Sequence, residues 1–356
     1  MFTGFYARDA PPSGILDAAT IAAQGLPTDS LTPQLTISAG ILSAVATLIV
    51  LFRLYGRAVI LRVVGWDDYC VIIAAVLALG LTGTMFASAH YGLGQHAWMV
   101  GYANIEMILK YGYPLHILYI LSLGFSRSSL LLQLIRLAPT PRLRKAFWFL
   151  FGFSTCFTLA AFLSHALICK TKPYLFWESK DPTADVRTGR CISYGTLQLV
   201  MGVINIFTDF VVWLSPLQII YSVRLPRSQK VGLFIVFAFG GLVWISAIVR
   251  LYYARVAAKM ISENITVDPT YRALPIALWS NIETHIAIIC CSIPTLRPFL
   301  RRLLPASIIP TSSSRSRSRY RANDQSYPYE LEGVEQFKKL KPDNTAGTSR
   351  ERVVDV

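Results

Sequence analysis

Residues 35–52 read LTISAGILSAVATLIVLF, eighteen positions in a row without a charge. A helix needs roughly 20 mostly apolar residues to cross the hydrocarbon core of a bilayer, and this stretch, carried on to residue 54, supplies them. Six more stretches meet the same test, at about 68–89, 112–134, 146–168, 192–221, 231–253 and 274–299. The composition agrees with that reading. Hydrophobic residues make up 53% of the 356 and charged residues 15%, where soluble domains carry about 25% charged, and the mean hydropathy is +0.46. The sequence predicts an all-α membrane protein, a seven-transmembrane-helix bundle over residues 35–303. An N-terminal segment, 1–34, precedes it. A polar, basic tail, 304–356, follows it, with too few large apolar residues to offset its ordering entropy, and is expected to be disordered.

Thirty-four Lys and Arg against twenty acids give a net charge of +14. The basic residues cluster at the ends of the apolar runs, as the positive-inside rule requires, so the excess is read as membrane topology and not as nucleic-acid binding. Six cysteines without C-x-x-C spacing argue against a zinc module or a small disulfide scaffold. No internal repeat is evident, which counts against inverted-repeat transporter folds.

The loops after spans one, three and five hold ten Lys and Arg, starting with Arg53, Arg57 and Arg62, and the opposite loops hold nine. The tail breaks this near-tie with twelve more from Arg297 onward, placing the N-terminus outside and the C-terminus in the cytoplasm. The start MFTGFYARDAPPSG has neither a basic opening nor an apolar core, so the first span is expected to act as its own insertion signal. Two features fit this orientation. Cys169 and Cys191 bracket the outer loop between spans four and five, in the compartment where disulfides persist. Asn264-Ile265-Thr266, between spans six and seven, is a glycosylation sequon on the same side.

Ionisable residues at membrane depth are costly and call for partners. Arg127 in span three and Asp209 in span five lie at similar depth, and Asn205 sits one turn before Asp209 on the same face. The three are read as an intramembrane polar lock, which packs spans three and five together or breaks when the bundle changes state. Glu283 lies within span seven, with Trp279 one turn away, and Arg250, His116 and His165 fall in the outer halves of spans six, three and four. These five are expected either to line an outward-facing ligand cavity or, in the plainer reading, to leave Arg250 neutralising Glu283 beside interfacial histidines. Asp67 and Asp68 open span two, where one carboxylate can cap the helix and the other pair with Arg62 or Arg136.

Several chemistries are disfavoured by the letters. Span seven has no lysine, and a retinal Schiff base needs one. His116, His165 and Glu283 could supply three zinc ligands, but no pair has the spacing of a metal-binding helix. No metal and no cofactor is expected. The Asp/Glu-Arg-Tyr and Asn-Pro-x-x-Tyr signatures of class A G-protein-coupled receptors are absent.

Other motifs occur in a set order. Trp66-Asp67-Asp68-Tyr69 opens span two and Tyr91-Gly92-Leu93-Gly94-Gln95-His96 follows it. Arg127-Ser128-Ser129-Leu130-Leu131 leads to Arg136. Cys169, Pro173, Trp177 and Cys191 mark the outer loop before Asn205-Ile206-Phe207-Thr208-Asp209. Leu225-Pro226-Arg227-Ser228-Gln229-Lys230 precedes span six with Ile248-Val249-Arg250-Leu251, and Trp279-Ser280-Asn281-Ile282-Glu283 and Pro294-Thr295-Leu296-Arg297-Pro298 finish the set. Over residues 36–304 this resembles the fungal rhodopsin-domain family of integral membrane proteins, the satratoxin-cluster type, related to surface-sensing receptor-like proteins of plant-pathogenic fungi. The resemblance implies a seven-helix fold and a fungal source, and little about chemistry. Arg127 stands where the family more often has lysine, and the N-terminal segment lacks the cysteines of some receptor-like relatives.

The expected function is a receptor-like multi-pass protein of the plasma membrane or an endomembrane, binding a small molecule in an outward-facing cavity without retinal. The alternative is a membrane-embedded enzyme or accessory protein of a fungal secondary-metabolite pathway. The sequence names no signalling partner. Arg315, Arg317, Arg319 and Arg321 alternate with serines in the tail, a pattern expected to meet anionic lipid headgroups.

Overall fold

A computed structural model describes residues 18–23, 25–170, 172–178, 191–222, 227–262 and 268–303. Asn264, the first seventeen residues and the tail arginines lie outside the described residues. Among the described residues there is no strand, and seven helices are long and apolar enough to cross a membrane. They are α1 (Thr32–Tyr55), α2 (Trp66–His90), α3 (Tyr102–Leu137), α4 (Pro141–Ala166), α5 (Tyr194–Ser222), α6 (Arg227–Ser262) and α7 (Pro269–Leu303). A short helix Ala18–Ala23 precedes α1, a 3-10 turn Ala97–Met99 precedes α3, and one helical turn, Leu175–Glu178, lies between α4 and α5.

Local chemistry sets the helix ends. Pro33 and Pro141 occupy first-turn positions in α1 and α4, where the missing amide hydrogen costs nothing. Thr140 accepts a hydrogen bond from the Leu143 amide to cap α4. α1 continues into a π-helical segment, Gly56–Leu61, which Arg62 ends at a left-handed φ of 52°. Between α2 and α3 the chain turns at Gly94, whose φ of +94° suits glycine and where a Cβ would fall 2.2 Å from Leu274. Gly124 lets α3 approach α4 closely, since a Cβ there would meet Thr158 at 2.3 Å.

The packing is that of a bundle whose solvent is hydrocarbon. On α1, Leu35, Ala39, Ser43, Ala46, Val50 and Arg53 form the buried stripe. The opposite face exposes Ile37, Ile41, Val45, Leu48 and Leu51 and needs lipid against it. Polar residues are instead concentrated inside: Asn281, Glu283, Thr284, His285 and Ser292 of α7 are all 1% exposed or less. The apolar core between α1, α2, α3 and α7 is built by Leu35, Leu81, Met85, Leu123 and Leu274. Trp66 and Tyr69, exposed at the start of α2, suit the membrane–water boundary. The protein is a multi-pass integral membrane protein.

The helices overrun the predicted spans. α3 and α6 are each 36 residues long, so Lys110, Arg255 and Lys259, three of the nine basic residues counted above in the opposite loops, lie on helical extensions. Arg53 needs a larger correction. It belongs to the buried face of α1 and not to a loop, because two carboxylates await it there.

Candidate functional site

Polar side chains are stacked along the bundle axis in four groups. At the deepest level, α3, α5, α6 and α7 meet in one charged network. Arg127 Nε lies 2.8 Å from Asp209 Oδ1, and its Nη2 donates to Asn205 Oδ1 at 2.7 Å. The Asn205 amide donates to Asp209 at 3.0 Å and to Glu283 at 3.1 Å. Glu283 also accepts from the Tyr119 hydroxyl at 2.8 Å and from Arg250 Nε at 2.9 Å. The Arg250 guanidinium sits 4.9 Å over the Tyr119 ring. Asn205 therefore joins the Arg127–Asp209 pair to the Arg250–Glu283 pair, which sequence reasoning had treated apart. Tyr119 was missed there, because a tyrosine in an apolar span carries no distinguishing signal.

Toward the end of the bundle that carries the disulfide, the histidines form the second group. His116 Nε2 lies 2.7 Å from Gln198 Oε1, and the Tyr194 hydroxyl is 3.2 Å from its Nδ1. The His165 ring stacks on His116 with centroids 5.5 Å apart. Its Nδ1 lies 2.9 Å from the Ala161 carbonyl, and its Nε2 is buried without a hydrogen-bond partner. Between these histidines and the charged network is a half-open crevice of about 410 Å³, walled by α3, α4 and α5 with Arg250 of α6. Much of that space is continuous with the outside, and the enclosed part is water-sized. A second hollow of about 230 Å³ lies on the other side of the histidines, bounded by Tyr113, Phe176 and Tyr194.

The five residues expected around one cavity therefore separate. His116, His165 and Arg250 line the crevice. Glu283 stands outside its lining, wholly buried against Arg250, Asn205 and Tyr119. Trp279 is half-buried and likewise outside the lining. It lies one turn before Glu283, but its own side chain points off the crevice wall.

A third group closes the opposite end. Arg53, wholly buried, reaches Asp67 at 2.7 Å and Asp68 at 3.0 Å. Arg57 bridges the same two carboxylates at 2.8 and 2.9 Å, and Arg136 meets Asp67 at 2.7 Å. Asp68 also accepts from the Gly65 amide at 3.0 Å, satisfying a free donor at the start of α2. Arg53 Nη1 and Gln133 Nε2 both donate to the Cys291 carbonyl, at 2.7 and 2.9 Å.

The fourth group was not anticipated. At the disulfide end His96 lies between the rings of Trp98 and Tyr271, with centroids 4.5 and 4.4 Å away. Its Nδ1 contacts Asp268, and its Nε2 lies 3.1 Å from Asp29. The Tyr271 hydroxyl donates to Asp29 at 2.6 Å, and Trp98 Nε1 to the Pro27 carbonyl at 3.2 Å. Tyr271 and His96 hold the Asp29 carboxyl below the usual carboxylate range. This clasp ties the segment before α1 to the α2–α3 loop and the start of α7. Cys169 and Cys191, between α4 and α5, are joined in a disulfide.

The order of these groups along the chain has counterparts elsewhere. The pattern described as the fungal rhodopsin domain matches residues 52–302. The chain belongs to that family. Fungal rhodopsin-domain relatives at 23–26% identity include the Fugralins biosynthesis cluster protein 2 of Gibberella zeae, 23% identical over 73% of this chain and 63% of the relative. The Satratoxin biosynthesis SC1 cluster protein 4 of Stachybotrys chartarum is 26% identical over 54% of this chain and 65% of its own length. Receptor GIN3 of Arthrobotrys oligospora is 25% identical over 57% of this chain and 46% of its own length. The chain thus spans about half to two thirds of the length of these relatives.

Proposed function

We propose that this fungal rhodopsin-domain protein is receptor-like and holds a small ligand in the crevice beside His165. The observation that carries the reading is His165, which lines the crevice and whose buried Nε2 has no hydrogen-bond partner. Below it, Arg250, Glu283, Asn205, Asp209 and Arg127 connect α3, α5, α6 and α7. A ligand that shifts Arg250 would act on four helices through groups that are costly to leave unpaired. The kinship with a protein named as a receptor supports the same reading.

In this reading the disulfide end faces outward and the tail lies in the cytoplasm. Arg315, Arg317, Arg319 and Arg321 then meet anionic lipid headgroups, each arginine contributing roughly 1 kcal/mol. A glycosidase-sensitive mass shift that disappears in Asn264→Gln supports the orientation, and an unglycosylated sequon accessible only from the cytosol refutes it. The test of function is Ala161→Trp, which fills the crevice wall. A normally trafficked variant should lose the transcriptional response that gene deletion abolishes; an intact response counts against a crevice ligand.

The names of two relatives favour a second reading, a membrane-embedded enzyme or accessory protein of a biosynthetic pathway. A deletion strain that accumulates one precursor, converted by the purified protein, would establish it in place of the first.

A further inference from the structure

Three features of the crevice specify what it accepts, on the reading that it is a ligand site. The first is a tautomer. The His165 Nδ1 atom lies 2.9 Å from the Ala161 carbonyl, which can only accept, so Nδ1 carries the ring hydrogen. In the neutral ring Nε2 is then a bare lone pair, and it is buried without a partner. It requires a donor. Gln198 is the neighbouring polar side chain, but its Oε1 faces His116 and its amide makes no hydrogen bond of good geometry to Nε2.

The second feature is charge balance. Arg127 is paired with Asp209 and Arg250 with Glu283, each at 5% exposure or less for its side chain. Two cations face two anions, so an ionised ligand would bring an uncompensated charge into a low-dielectric site. The third is the wall. Beyond the polar floor the lining is largely apolar, with Ile120, Phe157, Ala161, Met201 and Gly202 beside Thr158, whose hydroxyl donates to the Ser154 carbonyl. The α4 and α5 helices, which carry most of it, touch each other little compared with the tight α3–α4 packing. Their outer faces present Leu159, Leu163, Val200 and Val203, as lipid contact requires.

We propose that the crevice takes an uncharged, largely apolar molecule carrying one hydroxyl or N–H donor, admitted from the bilayer through the α4–α5 seam, with its donor directed at His165 Nε2. The enclosed space is water-sized until the seam parts, so occupancy and separation of α4 from α5 go together. The polar end meets the histidine while the body replaces acyl chain against Phe157 and Met201.

Photolabelling of the full chain in lipid nanodiscs tests this with 3-azioctanol, an uncharged alcohol bearing a diazirine. Adducts mapped by mass spectrometry should fall on crevice residues such as Phe157 or Met201, with Leu159 reporting bulk lipid contact. Excess 1-octanol should suppress the crevice adducts at least about fivefold better than methyl heptyl ether or octanoate, the scale of one hydrogen bond, and leave Leu159 labelling unchanged. In His165→Leu the alcohol and ether should compete equally. The competition is read on the unaltered protein and stands whether or not that variant folds. If no adduct enters the crevice, both this inference and the crevice as a ligand site fall. If adducts enter but ether or octanoate competes as well as octanol, the site survives and the preference for an uncharged donor is refuted.

Discussion

Arg250 on α6 and Glu283 on α7 meet at 2.9 Å with side-chain exposures of 3% and 0%. Removing one partner of a buried pair strands the other, at a cost of about 3–5 kcal/mol, while removing both can be nearly neutral. Glu283→Gln should therefore lower thermal stability in nanodiscs more than the double variant Arg250→Met/Glu283→Gln does, since Gln in both can still accept from Tyr119 and Asn205. Equal losses in the two would mean that the charges do not compensate each other.

Arg53 and Arg136 both reach Asp67, but Arg53 is wholly buried whereas the Arg136 side chain is 45% exposed. Water can replace Arg136 and cannot replace Arg53. Arg53→Gln should reduce monodisperse folded yield well below that of Arg136→Gln, and Asp68→Ala should reduce it more than Lys341→Ala in the tail. Fluorescence-detected size-exclusion chromatography ranks them, and an undiminished yield for Arg53→Gln removes the cluster from the stability account.

Acid should open the His96 clasp. The folded pKa of Asp29 is lowered from 3.8 by the Tyr271 hydroxyl and by His96. Its contribution is thus present above the unfolded value and lost as pH falls through the lower, folded one. Hydrogen exchange around Trp98, corrected for intrinsic rates, should accelerate as the pH is taken below about 4. Asp29→Asn should remove that acid limb, and exchange that ignores both changes would leave the clasp without a stabilising role.

Cys169 and Cys191 close a separation of 22 residues, for which chain entropy supplies about 3 kcal/mol. Non-reducing mass spectrometry should recover that linked peptide, and Cys169→Ser/Cys191→Ser should lower the unfolding midpoint to the position wild type takes in reductant. An unmodified Cys169 alkylated without reductant would contradict the bridge.

What was legible in the sequence follows its local physics. Seven mostly apolar runs of the right length announce seven crossings, because a bilayer tolerates little else. Asn205 and Asp209 share a face by helical spacing alone. That Asn205 also reaches Glu283 depends on how α5 and α7 are rotated about their axes, which no local pattern carries. The same rotation turns Trp279 away from the crevice. Arg53 was misplaced because a charge near the end of an apolar run looks like a loop residue, although it continues the four-and-three spacing of Ala46 and Val50. His96 and Asp268 lie 172 positions apart, and only the closed bundle brings them together.

The Cys291 carbonyl accepts from Arg53 on α1 and Gln133 on α3, and eight residues earlier on α7 Glu283 is held by α3, α5 and α6. At about 1.5 Å of rise per residue these two attachments are some 12 Å apart on one rod. Sliding α7 by a single residue would carry every one of these 2.7–3.1 Å bonds out of reach together. α7 is therefore seated like a key in two wards: it can leave its position only by releasing both, and any second resting place must offer partners at both levels again.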